Sequence, residues 1–319
     1  MRIELAVIEI TNSCNLKCKH CYGHFDKKKI MELSEFESIV KQLYDLGCTK
    51  IVISGGEPLI VGDKIYEYSK IVKKYNIPFL ALTTNGTLDN ISNYRVLELF
   101  DLIQVSIDGC EERHDYIRGN SNYNKSINFI KKYNQKLSNF VIMMAVNKYN
   151  FHDILYVNDL SKSLNVKFAL EVVTPCGRGT NIDVISDEEM KWLKQYVKNN
   201  KIDCSDPIRF CDIDDRKYFN NSFFVGCSAG TSAICIDSFL NVYPCARLRL
   251  SIGNLNNKTL LECMNSEIIK KLKNRDLLEG RCLSCYNKYI CGGCRARAYA
   301  RTGNFLEGDD ACVDYIKNK

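Results

Sequence analysis

The sequence predicts an α/β protein: an incomplete parallel β/α barrel followed by a distinct cysteine-rich C-terminal block. Three observations predict it. Apolar strand-like runs alternate with amphipathic helix-like segments through the first half of the chain, which argues for a parallel sheet with crossover helices. The alternation supplies six strands rather than the eight of a closed barrel. Nine of the seventeen cysteines fall within residues 226–319, which differ in composition from the rest.

The strand-like runs are 3–10, 51–54, 79–83, 102–107, 140–147 and 166–173. The first, Glu4-Leu5-Ala6-Val7-Ile8-Glu9-Ile10, reads as a buried strand. Helix-like periodicity lies between the runs, near 35–46, 63–75, 92–99, 123–137 and 152–164. Ser34-Glu35-Phe36-Glu37 has the capping-box form, which predicts Ser34 at N-cap and Glu37 at N3. A second box, Ser186-Asp187-Glu188-Glu189, opens a helix over 187–199. Residues 200–225, with Pro207 and many Asn and Asp, read as a linker. The expected organisation is a barrel over 1–199, a linker over 200–225 and a tail over 226–319.

Composition narrows the chemistry. The chain has 319 residues, 45 % of them hydrophobic, enough for one large barrel or two domains. Seventeen cysteines in a small secreted protein would mean disulfides. Here Met1-Arg2-Ile3-Glu4 leads straight into a strand without a signal peptide, and the chain is too large to need staples. Metal ligation in the cytoplasm is the better account. No apolar stretch suits a membrane span. The net charge of +6 is modest and scattered, and Lys27-Lys28-Lys29 reads as solvated surface. Neither nucleic acid nor membrane is an expected partner.

The run Cys14-Asn15-Leu16-Lys17-Cys18-Lys19-His20-Cys21 follows directly on the first strand. It puts three thiols on one short loop. A [4Fe-4S] cluster normally takes four cysteines, so three local ligands leave one iron open. The alternatives are a zinc site that recruits His20 or His24, and plain core cysteines. In a β/α barrel, chemistry gathers on the loops at the C-terminal ends of the strands. The later loops carry Ser54-Gly55-Gly56-Glu57-Pro58, Thr83-Thr84-Asn85-Gly86 and Ser106-Ile107-Asp108-Gly109, then His114-Asp115-Tyr116-Ile117-Arg118-Gly119. Each could be ordinary turn punctuation. Ser106 and Asp108 fall on the same side of an extended chain. Arg118 could bind a carboxylate bidentately or lie on the surface. Glu171 on the sixth strand could face the lumen and touch substrate, or pair with a lysine.

These loops and the cysteine spacing resemble the radical SAM enzymes, whose core is a partial (β/α)6 barrel of the TIM type. The resemblance implies that Cys14, Cys18 and Cys21 hold a [4Fe-4S] cluster whose open iron binds S-adenosylmethionine (SAM). One electron from the cluster would cleave the sulfonium to a 5′-deoxyadenosyl radical. It implies that Gly55, Gly56, Glu57 and Pro58 meet the SAM amino group and that Asn85 lies near the ligand. Ser106, Asp108 and Arg118 would serve the SAM carboxylate or ribose. His20 stands where an aromatic ring usually lies against adenine, so it is expected to stack.

The tail holds Cys227-Ser228-Ala229-Gly230, Asn241-Val242-Tyr243-Pro244-Cys245, then Cys282, Cys285, Cys291-Gly292-Gly293-Cys294, and Cys312. It resembles the SPASM domain, which carries two auxiliary [4Fe-4S] clusters. Cys227, Cys245 and Cys294 match the ligands of the first, and Cys282, Cys285, Cys291 and Cys312 those of the second. Cys235 is the nearest candidate for a missing fourth ligand, unless that iron is open to a substrate thiolate. Leu240 departs from the pattern by standing where a turn glycine is usual. Cys48, Cys110, Cys176, Cys204, Cys211 and Cys263 read as ordinary cysteines. A pair of zinc sites is the alternative account of the tail.

The resemblance implies an enzyme that abstracts a hydrogen from a ribosomally made precursor peptide and installs a thioether or carbon–carbon crosslink or inverts a stereocentre. Rivals are a Ser or Cys maturase of anaerobic sulfatases, tetrapyrrole side-chain chemistry, and a non-enzymatic electron-transfer or metal-binding protein. A low-potential donor, flavodoxin or ferredoxin, is an expected partner. Only 13 residues precede Cys14, so a peptide leader is expected to dock on the barrel rim or tail, or to come with a separate leader-binding protein.

Overall fold

The computed structural model describes residues 2–23, 28–181, 184–204 and 226–313. Six strands run in sequence order side by side: β1 (Leu5–Thr11), β2 (Lys50–Gly55), β3 (Phe79–Thr84), β4 (Leu102–Ser106), β5 (Phe140–Val146) and β6 (Lys167–Val172), each parallel to the next. Parallel pairing needs a crossover after every strand, and the helical segments provide it. They include α1 (Leu33–Asp45), α2 (Ile65–Lys74), α3 (Glu111–Arg118), α4 (Asn122–Asn134) and α5 (Ile154–Ser163).

The strands obey a period of two. Ile103 and Val105 of β4, Ile142 and Met144 of β5, and Leu170 and Val172 of β6 face the helices and join one core. Between them Gln104, Met143 and Glu171 face the opposite way and line a common cleft. The helices close the other side with single apolar stripes. In α1 the stripe is Phe36, Ile39, Val40 and Leu43, all buried.

Several elements differ from expectation. Helix α1 starts two residues early. Glu35 reaches back to the Glu32 amide at 2.8 Å, which makes Glu32 the cap and puts Ser34 inside the helix. Residues 92–99 form a 3-10 segment, Tyr94–Leu99, rather than an α-helix. The expected helix at 63–75 is a 3-10 turn, Pro58–Lys64, running into α2. Helix α3 was not anticipated, because its polar sequence buries only His114 and Ile117. Helix α6 (Asp187–Asn200) has the expected box, with Ser186 Oγ accepting from the Glu189 amide at 3.2 Å.

The tail is not confined to a separate layer. Beyond α6 a two-residue strand, β7 (Asp203–Cys204), pairs with β6 inside the stretch read as a linker. Residues 205–225, Cys211 among them, lie outside the described residues. From the tail, β8 (Ala233–Ile236) pairs parallel to β1, with Val7 opposite Cys235. β9 (Asn241–Tyr243) and β10 (Gly253–Asn254) then follow antiparallel. The two edges of the six-stranded sheet are thus capped by β7 and β8, and among the described residues the strand order does not close into a ring. Short helices α7 (Leu260–Met264), α8 (Glu267–Lys273), α9 (Gly280–Leu283) and α10 (Arg295–Thr302) complete the chain.

Leu240 takes φ +68°, the left-handed conformation for which glycine is usual. Its side chain is buried in the core, and Asp237 Oδ1 braces the turn by accepting from the Phe239 and Asn241 amides, each at 2.9 Å. Burial offsets a strain of roughly 1–2 kcal/mol.

Candidate active site

One cleft at the C-terminal ends of the strands encloses about 940 Å³, solvent at its mouth included. Cys14, Cys18, His20 and Cys21 line it, with Gly55, Gly56, Glu57, Asn85, Ser106, Arg118 and Glu171. The site is built from the cysteine loop outward.

Two loops hold that loop in place. The Gly55–Glu57 segment lies flat against it: the Gly56 amide donates to Thr11 O at 2.8 Å and the Glu57 amide to Ser13 O at 2.9 Å. A Cβ on Gly55 would overlap the Thr11 carbonyl oxygen, and one on Gly56 the Ser13 carbonyl oxygen. Close backbone approach therefore explains both glycines. On the far side the loop after β6 clasps the cysteines. The Arg178 amide donates to Cys21 O at 2.8 Å and its Nε to Cys18 O at 3.0 Å. Gly177 packs on the backbone of Cys21 and Tyr22. Sequence reasoning passed over this Gly177-Arg178-Gly179 segment. Two glycines flanking an arginine just after a strand were the available signal.

Glu57 is buried, and both its oxygens are engaged. Oε1 accepts from Leu59 N at 3.0 Å and Thr84 Oγ1 at 2.7 Å, and Oε2 from Asn85 N at 2.7 Å. Burial pushes its carboxyl upward, and these bonds offset only part of that. Pro58 does not line the cleft; it opens the 3-10 turn, where a missing N–H costs nothing. Asn85, which lines the cleft, also joins the cysteine loop, donating to Asn15 Oδ1 at 3.0 Å.

Asp108 also lies behind the cleft rather than in it. The strand ends at Ser106, so the extended alternation that put the two on one side does not continue. Asp108 is fully buried; Oδ1 accepts from Ala145 N at 2.9 Å, while Oδ2 meets Arg118 Nε at 2.5 Å and His20 Nε2 at 3.0 Å. Burial alone would raise its carboxyl, but Arg118 and His20 outweigh that and hold it far below the usual range. Asp108 thus orients two cleft residues. Behind them, His114 Nδ1 accepts from the Asp108 amide at 3.2 Å. Burial, aided by Arg118, depresses its imidazole to about 4, so it stays neutral.

The cysteines suit iron–sulfur ligation. All the described ones are free thiols. Backbone amides point at several sulfurs: Leu16 N to Cys14 Sγ and Gly293 N to Cys291 Sγ at 3.4 Å, and Arg247 N to Cys245 Sγ at 3.5 Å. Cys282 Sγ receives Arg295 Nη2 and Asp309 N, each at 3.4 Å. Such donors stabilise thiolates and tune a cluster. Burial pushes the Cys14 thiol up to about 12, so metal binding must expel its proton. Among the described residues no three His, Cys, Asp or Glu side chains converge on a point that suits a single metal ion.

In the tail, backbone contacts tie Cys227 to Cys291 of the other expected set and bring its loop beside Cys245. The Cys227 amide donates to Cys291 O at 2.9 Å, and Gly230 N to Pro244 O at 2.9 Å beside Cys245. Cys294 N donates to Asp309 Oδ2 at 2.7 Å, and Asp309 in turn takes a bidentate pair from the buried Arg297 at 2.7 and 2.8 Å. Of the second expected set, Cys285 N donates to Cys282 O at 3.4 Å, and Arg281 Nη1 donates to Cys312 O at 2.9 Å. Cys235 is wholly buried on β8, facing Glu9, Arg249 and Cys245. Sequence reasoning also missed Arg247. It reaches from the Cys245 turn into the cleft and pairs with Glu171 at 3.4 Å, so an arginine of the tail is a partner of this glutamate.

The Radical SAM superfamily model matches residues 8–160, and the SPASM model, an iron-sulfur cluster-binding domain, matches residues 227–286. An AdoMet-dependent heme synthase of Methanosarcina barkeri is 29 % identical over 96 % of this chain and 95 % of its own. A cysteine-type anaerobic sulfatase-maturating enzyme of Clostridium novyi is 26 % identical over 92 % of this chain and 88 % of its own. Among solved structures, Streptococcus suis SuiB bound to precursor peptide SuiA superposes with a TM-score of 0.79 at 19 % identity, over 98 % of this chain and 76 % of that one.

Proposed function

Since this chain belongs to the radical SAM superfamily and carries a C-terminal SPASM domain, binding a SAM-linked [4Fe-4S] cluster and further iron–sulfur clusters, we propose that it abstracts a hydrogen from a peptide to install a post-translational modification. When bound, the first cluster supplies the electron that cleaves SAM and so starts radical chemistry. The single observation that carries the reading is that the cysteine loop of the barrel and Arg247 of the tail line one cleft. Substrate therefore meets residues of both parts at once.

The chain's own groups have distinct tasks in this reading. Cys14, Cys18 and Cys21 hold the first cluster. Gly55 and Gly56 let the backbone come close, and their loop is kept open by the Glu57 bonds to β3. Ser106 and Arg118 face the cofactor from β4 and α3, with Arg118 aimed by Asp108. His20 presents its ring, and Asp108 fixes its rotation. Val173 and Met143 keep part of the wall apolar, which limits water around a reactive intermediate. Cys227, Cys245 and Cys294, and Cys282, Cys285, Cys291 and Cys312, are the proposed auxiliary ligands.

A peptide substrate is supported by the similarity to a sulfatase-maturating enzyme and by a fold shared with a peptide-bound protein. A second reading, tetrapyrrole side-chain chemistry, is favoured by the 29 % identity to a heme synthase along nearly the whole chain. The test is anaerobic turnover of reduced, reconstituted protein with SAM. Candidate short peptides encoded beside the gene are compared with iron coproporphyrin. Deuterium transfer from labelled peptide into 5′-deoxyadenosine supports the first reading. Transfer only from the macrocycle overturns it.

A further inference from the structure

The turn after Cys245 delivers two arginines in opposite directions. Arg249 is pinned. Its guanidinium clamps both oxygens of Glu9, one at 3.1 Å, and lies between the rings of Tyr22 and Tyr243 at 5.1 and 5.0 Å. Glu9 is buried on β1, and Tyr22, which follows Cys21, donates to its Oε1 at 3.2 Å. The turn is closed by Leu248 N on Cys245 O at 3.1 Å. So the tail turn is tied to the strand that carries the cysteine loop, and Arg247 is held over the cleft with 16 % of its side chain exposed.

Arg247 faces Glu171 on the lumen side of β6. The Glu171 side chain is 31 % exposed, so the pair stands on a wetted wall, where ion pairs stabilise folds little. The same exposure makes the pair exchangeable. A planar guanidinium that meets Glu171 through one contact at 3.4 Å can turn to another carboxylate and take it with two parallel N–H bonds. The SAM-facing positions lie on the earlier loops, at Gly55, Gly56, Asn85 and Ser106. Arg247 lines the same cleft from the tail, opposite Glu171 of β6.

We propose that Arg247 is the specificity determinant of this cleft: it binds an aliphatic carboxylate of the substrate in place of Glu171. The proposal deepens the function above and rests on the cleft being a radical SAM active site. The carboxylate is an acidic side chain or C-terminus of a peptide, or a propionate of a tetrapyrrole. Both offer the same chemistry, and the test separates them.

The test uses full-length reconstituted protein with SAM bound. Two matched probe pairs are titrated: coproporphyrin III against its tetramethyl ester, and a randomised heptapeptide amide pool with one fixed Glu against the same pool with Gln. Wild-type protein is expected to prefer the acid of one pair by roughly tenfold to a hundredfold, the worth of a charge-assisted hydrogen bond. Arg247→Gln should erase that preference and Arg247→Lys should restore part of it. Glu171→Gln should keep it. Lys162→Ala, an exposed lysine on α5, controls for lost positive charge. Iron content and circular dichroism confirm folding, and the Lys variant stands in if the Gln variant misfolds. The proposal is overturned if wild-type protein shows no acid preference in either pair, if Arg247→Gln retains it, or if that variant loses SAM affinity to the same degree. Absence of SAM cleavage by wild-type protein would instead overturn the function on which the proposal rests.

Discussion

Asp108→Asn separates a positioning residue from a cofactor ligand. In the structure this carboxylate is fully buried and forms an ion pair with Arg118, whose side chain is 10 % exposed. Asn removes the charge and turns an N–H₂ toward donors on Arg118 and His20. An uncompensated buried guanidinium costs about 3–5 kcal/mol. That is a large share of a typical stability of roughly 5–15 kcal/mol. The assay is urea denaturation of matched, iron-loaded samples, read as the midpoint at unchanged slope. A cycle with Arg118→Met should show strong coupling, the double variant losing less than the two single losses together. If Asp108→Asn costs under about 1 kcal/mol, the typical net worth of one neutral hydrogen bond, the network reasoning is refuted. Weakened SAM affinity without loss of stability would point back to direct cofactor contact.

Three further outcomes are expected. Gly56→Ala forces a methyl into the Ser13 carbonyl, so it should cost about 1–3 kcal/mol and abolish SAM cleavage; undiminished 5′-deoxyadenosine formation would contradict the packing argument. Cys245→Ala, checked for solubility and an intact first cluster, should raise the ratio of 5′-deoxyadenosine to modified product; a wild-type ratio would make that auxiliary site merely structural. His114 has a folded value of about 4 against 6.5 when unfolded, so acid loads protons onto the unfolded chain first and stability falls as pH drops from about 6.5 toward 4. Denaturation midpoints between pH 7.5 and 5.5 should drop in wild-type protein and drop less in His114→Gln; equal slopes would exclude this histidine as the source.

Local regularity was legible and long-range pairing was not. Strand alternation places Glu171 in the lumen, because Leu170 and Val172 must face the helices. The Gly-Gly and cysteine spacings likewise mark loops whose role is local. By contrast, Arg247 and Glu171 come from opposite ends of the sheet, and no periodicity relates them. Strand β8 shows the same limit: four apolar residues in a cysteine-rich tail gave no sign of pairing with β1. Asp108 was misplaced because the strand stops at Ser106, a boundary the pattern of alternation does not reveal. Helix α3 went unseen because two buried residues make too faint a stripe. Leu240 shows a pattern residue replaced at a cost that burial in the core offsets.

The central claim is that Cys14, Cys18 and Cys21 hold the cluster that cleaves SAM, while separate cysteines in the tail hold iron of their own. The most direct measurement is made on the Cys14→Ala/Cys18→Ala/Cys21→Ala protein after reconstitution and reduction. Bound iron and 5′-deoxyadenosine are quantified on the same sample. The account predicts that iron falls by about four per chain, one cluster's worth, that the tail keeps the rest, and that no 5′-deoxyadenosine forms. SAM cleavage by that protein, or complete loss of iron from a folded tail, would contradict it.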